Sequence, residues 1–189
     1  GFNLGSSALL QFGSPLANSA ILNIDASGNA SQLFGTLEST ALSSIGCPAC
    51  AFAPAIFVAN GNGIVVGAGG RIAAPSGVGL IGANLNNATA KNDFVANNGA
   101  LNSYIDVTTG QSTVTVNGAI NGSLTVNAPA AYVLLAGGDI VNTGNVFASA
   151  FYAMAGIRAT ASTDTVNGVA NTTVNRLFDV TNGAEEFVP

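Results

Sequence analysis

A glycine-rich stretch is the part of this sequence that most resembles a chemical site. It reads FVANGNGIVVGAGGRI, from Phe57 to Ile72. A dinucleotide-binding fingerprint needs Gly-x-Gly-x-x-Gly between a strand and a helix. Here Gly61, Gly63 and Gly67 are spaced one residue too widely, and a P-loop would need a Gly-Lys-Ser/Thr that is absent. We therefore interpret the glycines as turns on either side of a buried strand, Ile64 to Val66.

The pair Cys47 and Cys50, in the stretch GCPAC, is the second candidate. A disulfide closing a small loop in an oxidising compartment is the interpretation we favour. A bond between subunits and a redox or metal role remain alternatives. A metal site usually needs about four ligands, and the chain has no His. Haem attachment would need His where Ala51 stands.

The acidic residues do not form an obvious catalytic pair. They are scattered along the chain, and only Glu185 and Glu186 adjoin. Glycoside cleavage needs two facing carboxylates, and a base that works near neutral pH is most often His. We predict no catalytic residue, no cofactor and no metal, and keep a carbohydrate-binding or carbohydrate-cleaving protein as the third hypothesis.

Composition restricts the partners of the chain. Charged residues make up 7% of 189 residues and hydrophobic residues 48%, with a net charge of −5. The four basic residues lie far apart, which excludes the clustered cations that nucleic acid requires. No apolar run is long enough for a membrane helix, so we predict no membrane insertion. No secretion signal precedes Gly1, as expected of a form from which a signal has been removed.

Strand signals dominate the sequence. The best helical candidate is Ser31 to Ser44, weakened by Gly35 and by threonines. Short β-branched segments separated by Gly, Asn, Pro or Ser are typical of strands. These segments are ALLQF, AILNI, AIFVA, GIVVG, RIAA, YIDVTT, STVTVNG, SLTVNA, YVLLA, DIVNTG, NVFAS and TTVNRLFDV.

A loose theme of Val-Asn, a Gly and another apolar strand repeats in VNGAINGSLTV, IVNTGNVFAS and VNGVANTTVN. It returns at about 20 to 30 residues, which is typical of a solenoid. The sequence therefore predicts an all-β, right-handed parallel β-helix of about eight coils, forming a single domain over residues 1–189. A β-sandwich is the alternative.

Several stretches, in order, carry a resemblance to a known family. They are residues 1–39, the stretch IFVANGNGIVVGAGGRI, the segments GVGLIGANLNN and NDFVANNG, and residues 130–161. Together they resemble the N-terminal domain of filamentous-haemagglutinin-like proteins, the exoproteins of bacterial two-partner secretion. The resemblance implies a β-helix and identifies Asn60, Gly61, Asn62 and Gly63 as the family's signature turn, with Gly61 in place of the usual proline.

Three segments depart from the family pattern. An inserted Cys-containing loop spans about residues 40–54, and a candidate assembly segment spans about residues 165–189. The amphipathic cap that shields the family's first coil has no counterpart after Gly1.

We expect a secreted bacterial cell-surface protein, structural or adhesive, that assembles head-to-tail into an extracellular filament. Bare strand edges recruit further strands, and head-to-tail contacts that do not close give fibres. The predicted partners are further copies, a host or neighbouring cell surface, and an outer-membrane transporter during secretion. The alternative is the secretion-recognition domain of a larger adhesin. The candidate subunit-contact residues are Phe2, Leu4, Leu9, Phe12, Val174, Leu177, Phe178 and Val180.

Overall fold

The regular secondary structure of the described residues is almost entirely β-strand. The computed structural model describes residues 1–43, 46–86, 88–96, 112–155, 164–166 and 169–171. This part of the chain contains three parallel sheets, one antiparallel hairpin and the helix α1 (Ala88–Ala96). It contains no helix long and apolar enough to cross a membrane.

Fourteen strands build the three parallel sheets. Sheet 1 consists, in order, of β1 (Leu9–Phe12), β4 (Thr36–Ser39), β7 (Arg71–Ala73), β10 (Ala119–Asn121) and β13 (Asn145–Val146). Sheet 2 consists of β2 (Ala20–Asp25), β5 (Ala55–Asn60), β8 (Val78–Ile81), β11 (Val133–Gly137) and β14 (Phe151–Ala155). Sheet 3 consists of β3 (Ser31–Leu33), β6 (Ile64–Val66), β9 (Val114–Val116) and β12 (Ile140–Asn142).

The chain visits the sheets in a fixed cycle, from sheet 1 to sheet 2 to sheet 3 and back. Each return places a strand beside the one laid down a round earlier. The shortest round takes 18 residues, because Val133 pairs with Phe151. The segments between β4 and β5, between β8 and β9, and between β10 and β11 lengthen other rounds, and their described residues add no strand to these sheets. The sheets of the described residues therefore contain four or five strands each, whereas the expectation of about eight coils also covers residues that lie outside the described part of the chain.

Inward-facing residues of all three sheets form one apolar core. In β5 and β6, Ile56, Val58, Ile64 and Val66 are completely buried. Aliphatic side chains recur at the same positions in neighbouring strands, so that Ile56 stands beside Val78 and Ile64 beside Val114. Stacks of such side chains bury apolar surface efficiently, which stabilises the sheets.

A second apolar cluster covers the outer face of sheet 2. Helix α1 places Phe94 against Phe57, with ring centroids 5.8 Å apart in an edge-to-face arrangement. Ile81 and Leu85 are also buried in this cluster. The inner strands of sheet 2, β5, β8 and β11, are thus buried on both faces, which explains why β5 and β8 read as continuous apolar runs.

Three predictions about local structure were wrong. Ser31 to Ser44 contains β3 and β4 rather than a helix, because its side chains alternate between buried and exposed, as in Ser31 to Leu33. The segment SLTVNA is a loop between β10 and β11, with Val126 63% exposed. The stretch VNGVANTTVN contributes to an antiparallel hairpin of β15 (Asp164–Val166) and β16 (Val169–Asn171) instead of a parallel coil.

Candidate functional site

The turn Asn60 to Gly63 lies at the corner between β5 and β6, where it is held by buried polar contacts. The Asn60 side chain is fully buried. Its Nδ2 donates to Ser31 Oγ (2.9 Å), Asn29 O (2.9 Å) and Asp25 Oδ2 (3.2 Å). Its Oδ1 accepts the Asn62 amide at 2.8 Å. Asn60 therefore ties this corner to the corresponding corner of the preceding round.

Asp25 is the charged centre of this network. Its carboxylate accepts the Phe2 amide (2.6 Å), the Ser27 amide (2.9 Å) and the Ser31 hydroxyl (2.8 Å). Burial alone raises the pKa of Asp25, but these donors outweigh burial and hold its pKa well below its ordinary range. The site therefore contains a buried, stably ionised carboxylate whose acceptor capacity is used by the protein itself.

The glycines of the turn have a structural role in the backbone. Gly63 has a φ of +105°, which L-residues rarely adopt, and an added Cβ would lie 2.9 Å from Thr113 O. Gly61 O accepts a hydrogen bond from Ser112 Oγ at 2.5 Å. These contacts extend the corner to the following round.

Several amides of this glycine-rich stretch already have protein acceptors. Gly63 N donates to Asn60 O at 3.1 Å, Ile64 N to Thr113 O at 3.1 Å, and Gly70 N to Gly67 O at 2.8 Å. A phosphate-binding loop must instead present such amides to the ligand. The geometry of the stretch is therefore that of a structural corner.

A column of glycines, which sequence reasoning missed, lies at another corner. Gly35, Gly70, Gly118 and Gly144 each immediately precede a strand of sheet 1. A Cβ on any of them would overlap a backbone carbonyl oxygen of the neighbouring round. The signal was present in FGTLES, GGRIAA, NGAING and TGNVFA, but it becomes visible only when these segments are aligned by sheet position.

Cys47 and Cys50 are joined by a disulfide in the loop between β4 and β5. The loop folds back on the residues after β1, where Ser14 and Phe52 exchange backbone hydrogen bonds of 2.8 and 2.9 Å. Gly13 lies directly beneath Leu42 and Cys50, since an added Cβ would meet both. The loop therefore braces the corner between β1 and β2.

The first round of the sheet stack contains four of the predicted subunit-contact residues. Leu9 is 56% exposed, whereas Leu4 is buried and pairs with Leu33 across a parallel bridge. Phe2 and Phe12 are half-buried and pack against the end of the core. The other four, Val174, Leu177, Phe178 and Val180, lie outside the described residues.

In the described part of the chain, no three His, Cys, Asp or Glu side chains lie close enough together to hold a metal ion. Comparison of the chain with known protein families, curated proteins and solved structures finds no match. The candidate site is the first round of strands, with the Asp25–Asn60 corner beneath it.

Proposed function

We propose that the three sheets are the faces of a right-handed parallel β-helix. The fixed cycle of sheets and the unchanged register support this proposal. Crossovers between parallel strands of one sheet are right-handed in about 98% of cases, which favours that hand for this chain.

The function that this geometry supports best is structural. We propose a secreted protein of the bacterial cell surface, adhesive or filament-forming, whose copies assemble head-to-tail. The disulfide fits an oxidising compartment. The low charge gives little electrostatic repulsion between copies.

The open edge of β2, which pairs with no further strand in the part of the chain that the structure describes, is the observation that carries this proposal. On its inner side, β2 pairs with β5 over six residues, and Ala55 N donates to Ser19 O at 2.9 Å. Backbone groups alternate in direction along a strand, so the amides of Ala20, Leu22 and Ile24 point away from β5. Natural edge strands are protected by Lys, Pro or bulges, and the sequences of β1 and β2 (LLQF and AILNID) contain neither Lys nor Pro.

A proline substitution in this edge strand tests the proposal. Leu22→Pro removes an outward-pointing amide without removing a β2–β5 hydrogen bond. The control, Leu22→Ala, also loses the apolar side chain but keeps the amide. Sedimentation and electron microscopy of the purified protein should show assemblies for the wild type and Leu22→Ala, and dispersed particles for Leu22→Pro. Circular dichroism verifies that both variants fold. A dispersed wild-type protein at high concentration contradicts the proposal.

A second candidate function, secretion recognition, is favoured by one contact. Asp25 joins the start of the chain to the turn Asn60 to Gly63, which the family resemblance identifies as the signature turn. Its carboxylate accepts hydrogen bonds from Phe2 N and from Asn60 Nδ2. A transporter that binds the start of the chain would therefore also affect the turn Asn60 to Gly63. Binding to the periplasmic domains of a two-partner-secretion transporter, measured by calorimetry, tests this candidate, with Asn60→Ala expected to weaken binding.

A further inference from the structure

The two ends of the described sheet stack match in the order of their sheets, so that one end could continue the other. At the first end, sheet 3 begins with Leu4, sheet 1 with β1 and sheet 2 with β2. At the other end, the outermost strands are β12 in sheet 3, β13 in sheet 1 and β14 in sheet 2. Because β14 lies in sheet 2, the next position in the cycle belongs to sheet 3, where the first end begins.

We infer that a second copy of this chain occupies the open edge, so that all three sheets run on across the boundary between copies. Leu4 then lies beside β12, β1 beside β13, and β2 beside β14. This inference rests on the proposed head-to-tail assembly and specifies the boundary between copies, which we call the seam. Neither sheet order nor chain direction changes at the seam.

The register of the stack fixes which residues meet. In sheet 1, Leu9, Thr36, Arg71, Ala119 and Asn145 stand in one unbroken row. Continuing the row places Leu9 of one copy opposite Asn145 of its neighbour. In sheet 2 the same step places Ile21 opposite Phe151.

The side chains at this seam suit each other. Leu10 and Phe12 at the first end, and Val146 and Phe151 at the other, are half-buried residues packed against the same core. Stacking two copies removes this apolar surface from water, which favours association. The strands that meet contain a single charged residue, Asp25, so like charges do not oppose one another.

Paired cysteines test the seam. In the variant Leu9→Cys/Asn145→Cys, both positions lie on the exposed side of sheet 1. Within one copy they are four strand spacings apart, about 19 Å, whereas a disulfide needs Cα atoms within about 7 Å. An oxidised bond between these positions can therefore form only between copies. The control is Leu9→Cys/Ala119→Cys, which places the second cysteine one strand further from the seam.

We expect mild oxidation to produce a ladder of covalent oligomers for Leu9→Cys/Asn145→Cys and not for the control, with the 9–145 linkage identified by peptide mass spectrometry. Assemblies that form without this linkage overturn the seam but leave the proposed function standing. A protein that stays monomeric overturns both. An edge already covered by the chain's own residues, including a segment ahead of Gly1 in a longer protein, would give this monomeric result.

Discussion

At the scale of single residues, the corner beneath the first round depends on one ionised group. Asp25 is 8% exposed and Asn60 is completely buried. A charge so little exposed to water is costly unless hydrogen bonds compensate it. Donors from Phe2, Ser27, Ser31 and Asn60 provide this compensation, so the corner should respond both to protonation and to loss of a donor.

Replacing Asp25 by Asn should lower the free energy of unfolding by about 1–3 kcal/mol at pH 7, because an amide cannot accept from all these donors. The folded-state pKa of Asp25 lies below its unfolded value. The stabilisation is therefore fully present above the unfolded pKa, about 4, and is lost as pH falls below it. Urea unfolding at several pH values should show the difference between wild type and variant shrinking below about pH 4.

The exposed Asp139 supplies the control for this experiment. Asp139→Asn changes the net charge by the same amount as Asp25→Asn. We expect it to alter stability by less than about 0.5 kcal/mol. Equal losses in the two variants would mean that the effect comes from overall charge and not from the corner.

Two adjacent glycines allow a sharp test of the glycine column. A Cβ at Gly70 would overlap Leu33 O, whereas a Cβ at Gly69 meets nothing closer than 3.9 Å. Gly70→Ala should force neighbouring rounds apart and cost about 1–3 kcal/mol or more. Gly69→Ala should change stability by less than about 1 kcal/mol. Thermal unfolding of both variants measures the difference, and similar melting temperatures would contradict the role of the column.

At the scale of elements, α1 protects sheet 2. Phe94 is 9% exposed and packs on Phe57, whereas its neighbour Val95 is 75% exposed. Truncating a buried Phe costs about 3–5 kcal/mol. Phe94→Ala should therefore destabilise the protein strongly and expose the outer face of sheet 2 to a hydrophobic dye, while Val95→Ala should be nearly neutral. Equal dye binding by both variants would show that α1 is not the cover.

The strands were largely predictable from the sequence, whereas the helix was not. Segments such as AIFVA and YVLLA are β-branched or apolar and bounded by turn residues, so the local pattern predicts their state. Helix α1 lacks acidic residues in its first turn, and its Phe94 packs on Phe57, a residue of sheet 2 that is distant in sequence. The sequence around Asp25 did not predict its role in the buried corner, because that role depends on a hydrogen bond from Asn60, 35 residues later.

At the scale of the whole molecule, every contact between neighbouring strands of the three parallel sheets is long-range in sequence. Neighbouring strands join residues 27 positions apart between Leu9 and Thr36, and 50 apart between Ile64 and Val114. Such a stack gains stability from its neighbours, as in repeat proteins. Its inner strands are supported on both sides and its end strands on one, so stability should fall toward the ends.

Amide hydrogen exchange should reveal this gradient and its change on assembly. In the dispersed protein, β5 lies between β2 and β8 and should exchange slowly, whereas the outward amides of Leu22 and Ile24 should exchange fast. Assembly through β14 should slow exchange in β2 and leave β8, an inner strand in both states, unchanged. Mass spectrometry of peptides covering these strands, before and after assembly, measures the change. Protection of β2 already in the dispersed protein would mean that another part of the chain covers the edge, which would remove the basis for head-to-tail growth.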